Sequence, residues 1–552
     1  MDGYLLALII LVVWIAIVLV GHRFKFWGNK NVSLYGPLLM IKTQRGKEFL
    51  NRMARPTRFW GAYGRISIWI CIASMALLMF LLVWEAFLIF RIPASAAPSP
   101  EMALALPGIN PIIPLWYGII GIAIAVFVHE IAHGIMSRVA RIKVESMGLL
   151  FLVIPMGAFV EPNENEIKKT TPHKRGRLYA AGPATNVILG LICLFLLASL
   201  IAPAAKPISE GAIIAGIGDE SPASHYGLDI WCEITSVDGN GIGNAKDIEN
   251  LSFEEPGKPV IMGYLYRGEQ SEIEIPGGVV ITGVLEGPAF NAGIKPGMII
   301  ESLNGTIIHN TTQFRTVIEN ETHNNSINIT VLSYSYDFLT DEYGFFRNDS
   351  IINITLTTKW LYYYKYNPNE NKEDFKNVSY MGVTSAIFGV RTVDSDYVSK
   401  IYNEPFGQIN EPADFFSGSL RLIALPFLGL TPIESPISDL YEPTGALSFL
   451  PNDIYWGIIN CLYWIFWMNL LLGLFNALPA IPLDGGYVLK DLLKVTAMRL
   501  KKAPTGLDRV IGKKPFTEDQ LDRLISTIVI VASLIVFFLI IWQFIGPRFF
   551  GT

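Results

Sequence analysis

The sequence predicts a polytopic α-helical membrane protein with about six transmembrane helices and an inserted extracytoplasmic β-rich region. Three observations lead there. Hydrophobic residues make up 51% of the 552-residue chain and charged residues only 16%, against roughly 25% charged in an average soluble protein. Six stretches approach the roughly 20 apolar residues that a hydrocarbon core of about 30 Å demands. Between the fourth and the fifth, residues 203–420 hold 13 basic and 29 acidic residues, a composition that belongs outside the bilayer.

The six stretches lie near 4–20, 66–90, 112–136, 178–202, 455–480 and 524–545. The first lacks a basic n-region and a small-x-small cleavage site before Gly21, so it reads as an uncleaved anchor. A further stretch, 415–433, is interrupted by Arg421, Pro426 and Pro432 and reads as interfacial or re-entrant. Segment 21–65 has ten Lys or Arg against one acid, 137–177 has eight against four, and 486–523 has nine against five. Positive charge marks cytoplasmic loops, so these three face the cytoplasm and 203–420 faces outward, in a multi-pass protein of the cell membrane. Nine of ten Asn-x-Ser/Thr sequons fall in that outer segment, and the tenth begins at Asn31. A net charge of −5 leaves no footprint for nucleic acid. The four cysteines, Cys71, Cys193, Cys232 and Cys461, are scattered singly, which excludes a disulfide framework and a cysteine zinc site. Any metal must use His and carboxylate ligands.

The outer segment repeats itself at a constant offset of 66 residues: Pro222-Ala223 matches Pro288-Ala289, Gly227 matches Gly293, and the run Ile234 to Gly239 matches Ile300 to Gly305. Each copy reads as a strand, a Pro-Ala turn into one helical turn, then a strand ending in Asp-Gly or Asn-Gly, the dipeptides of type I′ hairpin turns. The pattern resembles tandem PDZ domains. The first copy has Trp231 where the second has Gly297, so it fits less well. β-rich runs at 327–336, 351–360 and 380–390 either complete the second module or form a separate subdomain.

The strongest chemical signal is His129-Glu130-Ile131-Ala132-His133, near the end of the third stretch. On a helix, positions i and i+4 share a face, so the two imidazoles converge on one metal while Glu130 reaches water beside it. From Ile112 to Met136 these are the only histidine or charged side chains, and such residues inside a span tend to be functional. An extended HExxHxxGxxH would need Gly at 136 and His at 139, where this chain has Met136 and Val139. The third ligand therefore comes from elsewhere. The best candidate is Asp484, the only charged residue between Ile454 and Leu489; Glu161, Glu164 and Glu166 are rivals in a charged loop. Pro479, Pro482 and Gly485-Gly486 are expected to break the helix there. His129, His133 and Asp484 then lie at one depth.

HEIAH, Pro482-Leu-Asp484-Gly485-Gly486, the intervening AGPATN segment (Ala181 to Asn186) and the PDZ-like modules together resemble the site-2 protease family of intramembrane zinc metalloproteases. The resemblance implies one Zn2+ per chain on His129, His133 and Asp484, with Glu130 as general base and Asn476 holding substrate or polarising its carbonyl. It also implies that 148–160 is a membrane-embedded β-hairpin, with Gly157, Ala158 and Phe159 on an edge that adds a substrate strand. Asn186 either contacts the active site or packs its helix against a neighbour through Gly182 and Gly190, and packing is the favoured reading. The implied organisation is an N-terminal two-span region (1–111), the first half of a catalytic core (112–202), PDZ-like domains at 207–276 and 277–390, and a linker (391–453). The second half of the core (454–490) and a basic loop with the last helix (491–552) follow. Function is then hydrolysis of peptide bonds within or near transmembrane segments of single-span membrane proteins, with a peptide ligand for the PDZ-like pair. A non-catalytic PDZ scaffold with structural zinc is the alternative, and a structural site has no use for Glu130. A zinc transporter is a third reading, weakened by the single site near one membrane face.

Overall fold

The computed structural model describes residues 3–24, 32–35, 38–43, 46–91, 97–103, 105–152, 154–322, 324–337, 340–347, 351–361, 375–407, 410–502 and 517–550. The sequons at Asn31 and Asn348 lie outside them. The chain divides into two units: residues 1–200, 423–432 and 457–552 form the first, and residues 201–422 and 433–456 the second.

The first unit is helical. Its helices are α1 (Gly3–Arg23), α2 (Gly46–Met53), α3 (Thr57–Leu88), α4 (Leu115–Val139), α5 (Pro172–Leu196), α6 (Asn452–Asn476), α7 (Asp484–Lys502) and α8 (Glu518–Phe550). Among the described residues five helices are long and apolar enough to cross a membrane: α3, α4, α5 with its extension to Ala204, α6 and α8; α1 adds a shorter apolar stretch, Val12–Gly21. Lipid-facing positions such as Trp69, Phe80, Phe87 and Phe537 are more than 60% exposed, as expected of side chains whose partner is hydrocarbon.

Segment 148–160 is β structure, as its place in the pattern implies. β3 (Val144–Leu152) and β4 (Ile154–Pro162) pair antiparallel, Gly148 opposite Phe159. The basic segment before α3, expected as a loop, supplies two more strands, β1 (Val32–Tyr35) and β2 (Leu38–Thr43), giving the order β1-β2-β3-β4 with β4 at an edge. Gly148 is required here, because a Cβ on it would stand 2.0 Å from the Ile41 carbonyl oxygen.

The second unit contains two large sheets and two two-stranded ribbons, Ala205–Pro207 with Tyr441–Pro443 and Thr357–Thr358 with Ser379–Tyr380. In chain order the longer strands of the large sheets are β5 (Ala212–Ile217), β6 (Glu233–Val237), β7 (Pro259–Tyr266), β8 (Glu269–Pro276), β9 (Val279–Val284), β10 (Ile299–Leu303), β11 (Ser326–Asp337), β12 (Glu342–Arg347), β13 (Ile352–Thr355), β14 (Val383–Ile387) and β15 (Val390–Asp394). One sheet has the order β8-β7-β6-β5-β15 and the other β12-β11-β10-β9-β14, with β13 pairing β11. Of the runs after 326, β11, β13 and β14 thus belong to the second sheet, while Thr357–Thr358 pairs with Ser379–Tyr380 in a ribbon of its own. The strand expected over 380–390 is divided at Phe388-Gly389, and its continuation, β15, closes the first sheet. The second module is therefore inserted into the first.

The repeat is conformational as well as sequential. Asp238-Gly239 has φ of 48° and 75°, and Asn304-Gly305 has 46° and 80°, the paired positive values of a type I′ turn. Trp231 takes φ 75° where Gly297 takes 89°, so the first copy keeps the backbone and bears the steric cost of a side chain there. Cys232 is 1% exposed and burial pushes its thiol up to about 11, which makes it a core residue.

In the first unit the Arg175 guanidinium forks onto Asp491, its Nε 3.1 and 3.2 Å from the two carboxylate oxygens and its Nη2 on Oδ1. This pair joins the start of α5 to α7, and the Asp491 carboxylate is only 5% exposed. Asp491→Ala should cost about 1.5–3 kcal/mol by removing charged hydrogen bonds from a half-buried guanidinium. Breaking the more exposed Lys494–Asp522 pair should cost less than about 1 kcal/mol. Thermal unfolding of the two variants in detergent measures the difference.

Candidate active site

The site starts from α4, whose apolar face places His129 and His133 one turn apart, 6% and 9% exposed, with ring centroids 4.7 Å apart. The His133 ring is oriented by its other nitrogen, since Nδ1–H donates to the Leu178 carbonyl at 2.9 Å. Its Nε2 lone pair is thereby turned inward. Leu178 lies on α5, and Gly182, one turn further along, lets that helix close over the rings. A Cβ on Gly182 would stand 2.4 Å from His133 Nε2 and 2.7 Å from His129 Nε2.

Asp484 enters from α7. Helix α6 ends at Asn476, residues 477–483 turn, and Asp484 opens the next helix. Its carboxylate thus sits where helix N–H groups favour negative charge. The prolines break the helix as expected, but Gly485 and Gly486 do not: both are helical. They are glycines because the preceding turn lies on top of them. A Cβ on Gly485 would be 2.1 Å from the Ala477 carbonyl oxygen, and one on Gly486 2.6 Å from Ala480 C.

His129 Nε2, His133 Nε2 and Asp484 Oδ2 form a triangle with every side 3.1 Å. With His133 Nδ1–H already donating, three lone pairs face one point, and a cation satisfies all of them at once. The sides are close to the roughly 3.3 Å expected between ligands held about 2.0–2.1 Å from a tetrahedral zinc. The three residues are the metal-competent cluster among the described residues.

Glu130 lies between the histidines and is half-buried; its Oε2 accepts the Val160 amide of β4 at 2.9 Å. Val160 therefore turns its N–H away from β3, and by the two-residue period of a strand Ala158 presents its backbone to the same edge. Gly157 packs β4 on α4, where a Cβ would stand 3.0 Å from Val126 Cγ1. Gly157, Ala158 and Phe159 are thus on the edge strand beside Glu130. Asn476 is at the end of α6 with its Nδ2 donating to Leu472 O at 3.0 Å, inside its own helix. The rival carboxylates are engaged elsewhere: Glu161 accepts from Ser146 and Lys42, Glu164 faces Lys168, and Glu166 accepts from the Lys143 amide.

Asn186, expected to pack, touches the site. It is fully buried, its Nδ2 is 3.3 Å from His129 Nδ1, and its Oδ1 has no partner. Rotating the amide by 180° puts Oδ1 where His129 Nδ1–H donates to it. That orientation leaves His129 Nε2 free to bind metal. The signal was present in the sequence, as a polar side chain inside a span, but the surrounding small residues point equally to packing.

Similarity to known proteins agrees with this geometry. Residues 117–506 match the model of Peptidase family M50. The uncharacterised protein MJ0971 of Methanocaldococcus jannaschii is 33% identical over 169 residues, 30% of this chain and 45% of that protein. Two proteins described as probable periplasmic serine endoproteases, DegP-like, are each 24% identical. The one from Hahella chejuensis matches over 155 residues, 20% of this chain and 33% of its own. The one from Ectopseudomonas mendocina matches over 245 residues, 36% and 49%. The matches span less than half the length of each relative. The family match covers the HEIAH helix, AGPATN, both β modules and the Asp484 turn together, and the chain belongs to Peptidase family M50, the site-2 protease family of metallopeptidases.

Proposed function

We propose that the chain is a zinc-dependent intramembrane endopeptidase that hydrolyses peptide bonds within or near transmembrane segments of single-span membrane proteins. The observation that carries this reading is the 3.1 Å triangle of His129, His133 and Asp484, with both histidines buried on α4, a helix long and apolar enough to span a bilayer. Zinc held there would supply a Lewis acid that polarises a carbonyl and brings the pKa of water to about 7.

The protein's own residues do the rest. Glu130 accepts the proton of the attacking water and returns it to the leaving amine. The β4 edge at Gly157, Ala158 and Phe159 pairs with a substrate segment that has left its helix, because amides freed at membrane depth must find new partners. Asn476 can serve a substrate carbonyl once its amide releases Leu472. The charge bias of the loops supports a cytoplasmic-side site and an extracytoplasmic second unit.

Within that second unit, a groove of about 750 Å³ runs between the edge strands β14 and β15 and the helices Ala245–Glu249 and Thr311–Asn320. An open strand edge beside a helix suits an added peptide strand. Arg315, Lys359 and Arg391 line the groove with Glu249 and Glu319, a net charge of about +1 that suits a carboxylate-ended peptide. These features support a peptide ligand for the PDZ-like pair.

The experiment is cleavage of a panel of single-span proteins by purified enzyme in detergent, with zinc measured in parallel. Glu130→Gln should lower cleavage by about 10²–10⁴-fold with zinc content unchanged. A chelator should abolish cleavage in the wild type. Loss of zinc in Glu130→Gln, or cleavage that survives chelation, would refute the assignment of roles. Gly182→Ala should lose zinc although it removes no ligand, since its methyl group would occupy the space of the histidine nitrogens; metal analysis of the purified variant reads this directly.

A further inference from the structure

The cations at the C-terminal end of α4 take no part in this chemistry. Arg138 is in the last turn of α4, Arg141 and Lys143 follow it toward β3, and Arg55 comes from the turn between α2 and α3. With Asn51 and Glu166 they line a pocket of about 400 Å³ that opens to the surface, within the roughly 300–1,000 Å³ of small-ligand sites.

The charges in this pocket are unbalanced. Among the described residues Arg55, Arg138, Arg141 and Lys143 are in no ion pair, and Glu166 already accepts the Lys143 backbone amide at 2.6 Å. Arg138 Nε is buried without a partner, which is unusual for a buried N–H. Arg141 has φ 66°, a left-handed conformation that costs a non-glycine residue about 1–2 kcal/mol. Cations at a helix C-terminus and at a cytoplasmic membrane face are ordinary. Those preferences account for positive charge, but not for its gathering around a concavity with a desolvated, unsatisfied guanidinium nitrogen.

We propose that this pocket binds a phosphate-bearing anion, either the headgroup of an acidic phospholipid or free phosphate. Guanidinium forks match pairs of phosphate oxygens, and basic pockets beside membrane helices bind acidic headgroups. A ligand here holds the end of the helix that carries His129 and His133. The inference stands on the pocket alone and does not need the proteolytic reading.

The test uses the full chain, purified in detergent and loaded with phosphatidylglycerol or phosphatidylcholine, with retained lipid counted by native mass spectrometry and inorganic phosphate as competitor. Wild type should keep one phosphatidylglycerol. Arg141→Gln should weaken retention about tenfold, and Arg141→Lys should weaken it too, because an ammonium cannot fork. Arg58→Gln, an exposed cation outside the pocket, should change nothing. Displacement by inorganic phosphate assigns the site to the phosphate group itself, and resistance to it assigns the site to the intact headgroup. Equal retention in wild type and Arg141→Gln overturns the proposal. Full retention in Arg141→Lys also overturns it, by showing diffuse attraction in place of a built site. Thermal unfolding in detergent reports that each variant is folded.

Discussion

An ionised carboxylate at membrane depth costs several kcal/mol unless a cation or several donors meet it, and that cost organises the first unit around Asp484. The carboxylate sits at the positive end of α7 and points at two imidazoles from α4. Everything around it serves to keep those atoms 3.1 Å apart. Gly485 and Gly486 let the turn 477–483 fold back onto α7, Gly182 lets α5 close over the rings, and the Leu178 carbonyl fixes the tautomer of His133. The Arg175–Asp491 pair, two turns along α7, ties that helix to α5. Three helices thus meet at one point for one electrostatic reason.

The second constraint is on the backbone. An open strand edge presents unpaired backbone groups that need partners. In the sheet β1-β2-β3-β4, the Val160 amide on the β4 edge is met by the Glu130 carboxylate. The residue between the two metal-facing histidines is therefore also the residue that holds the edge strand in place. Gly157 on Val126 brings the same strand against α4 one turn earlier. Strand and helix are positioned by the residues of a single helical face, which is why the chemistry of the helix and the pairing capacity of the strand occur side by side.

The parts of this arrangement that were legible in the sequence were those with a short-range rule behind them. The i, i+4 spacing of His129 and His133 and the isolation of Asp484 in an apolar stretch were sufficient to bring those residues together. The Asp-Gly and Asn-Gly turns, 66 residues apart, were sufficient to identify a repeat that the backbone angles reproduce. What escaped depends on long-range approach. Gly485-Gly486 reads as a helix breaker, and only the Ala477 carbonyl lying against it shows why glycine is needed inside a helix. Gly182 and Asn186 read as packing residues because a small-residue helix interface and the wall of a metal site demand the same absence of bulk. Strands β1 and β2 lie in a segment whose positive charge dominates its pattern, and they become strands by pairing with β3.

The insertion of one β module into the other was invisible for a related reason: β15 is a short strand whose partner, β5, lies on the far side of an entire second sheet. Its consequence is mechanical. β14 and β15 are the edge strands of different sheets, yet only Phe388 and Gly389 separate them. Phe388 is fully buried and packs edge-on to Phe253 at 5.5 Å, and a Cβ on Gly389 would stand 2.3 Å from Ser221 Cβ. The junction is thus clamped at both residues. A displacement of either edge is carried by the same two-residue link, within a core that runs continuously through both modules. Because packed cores transmit displacement instead of absorbing it, the two sheets of this unit are coupled mechanically through that link.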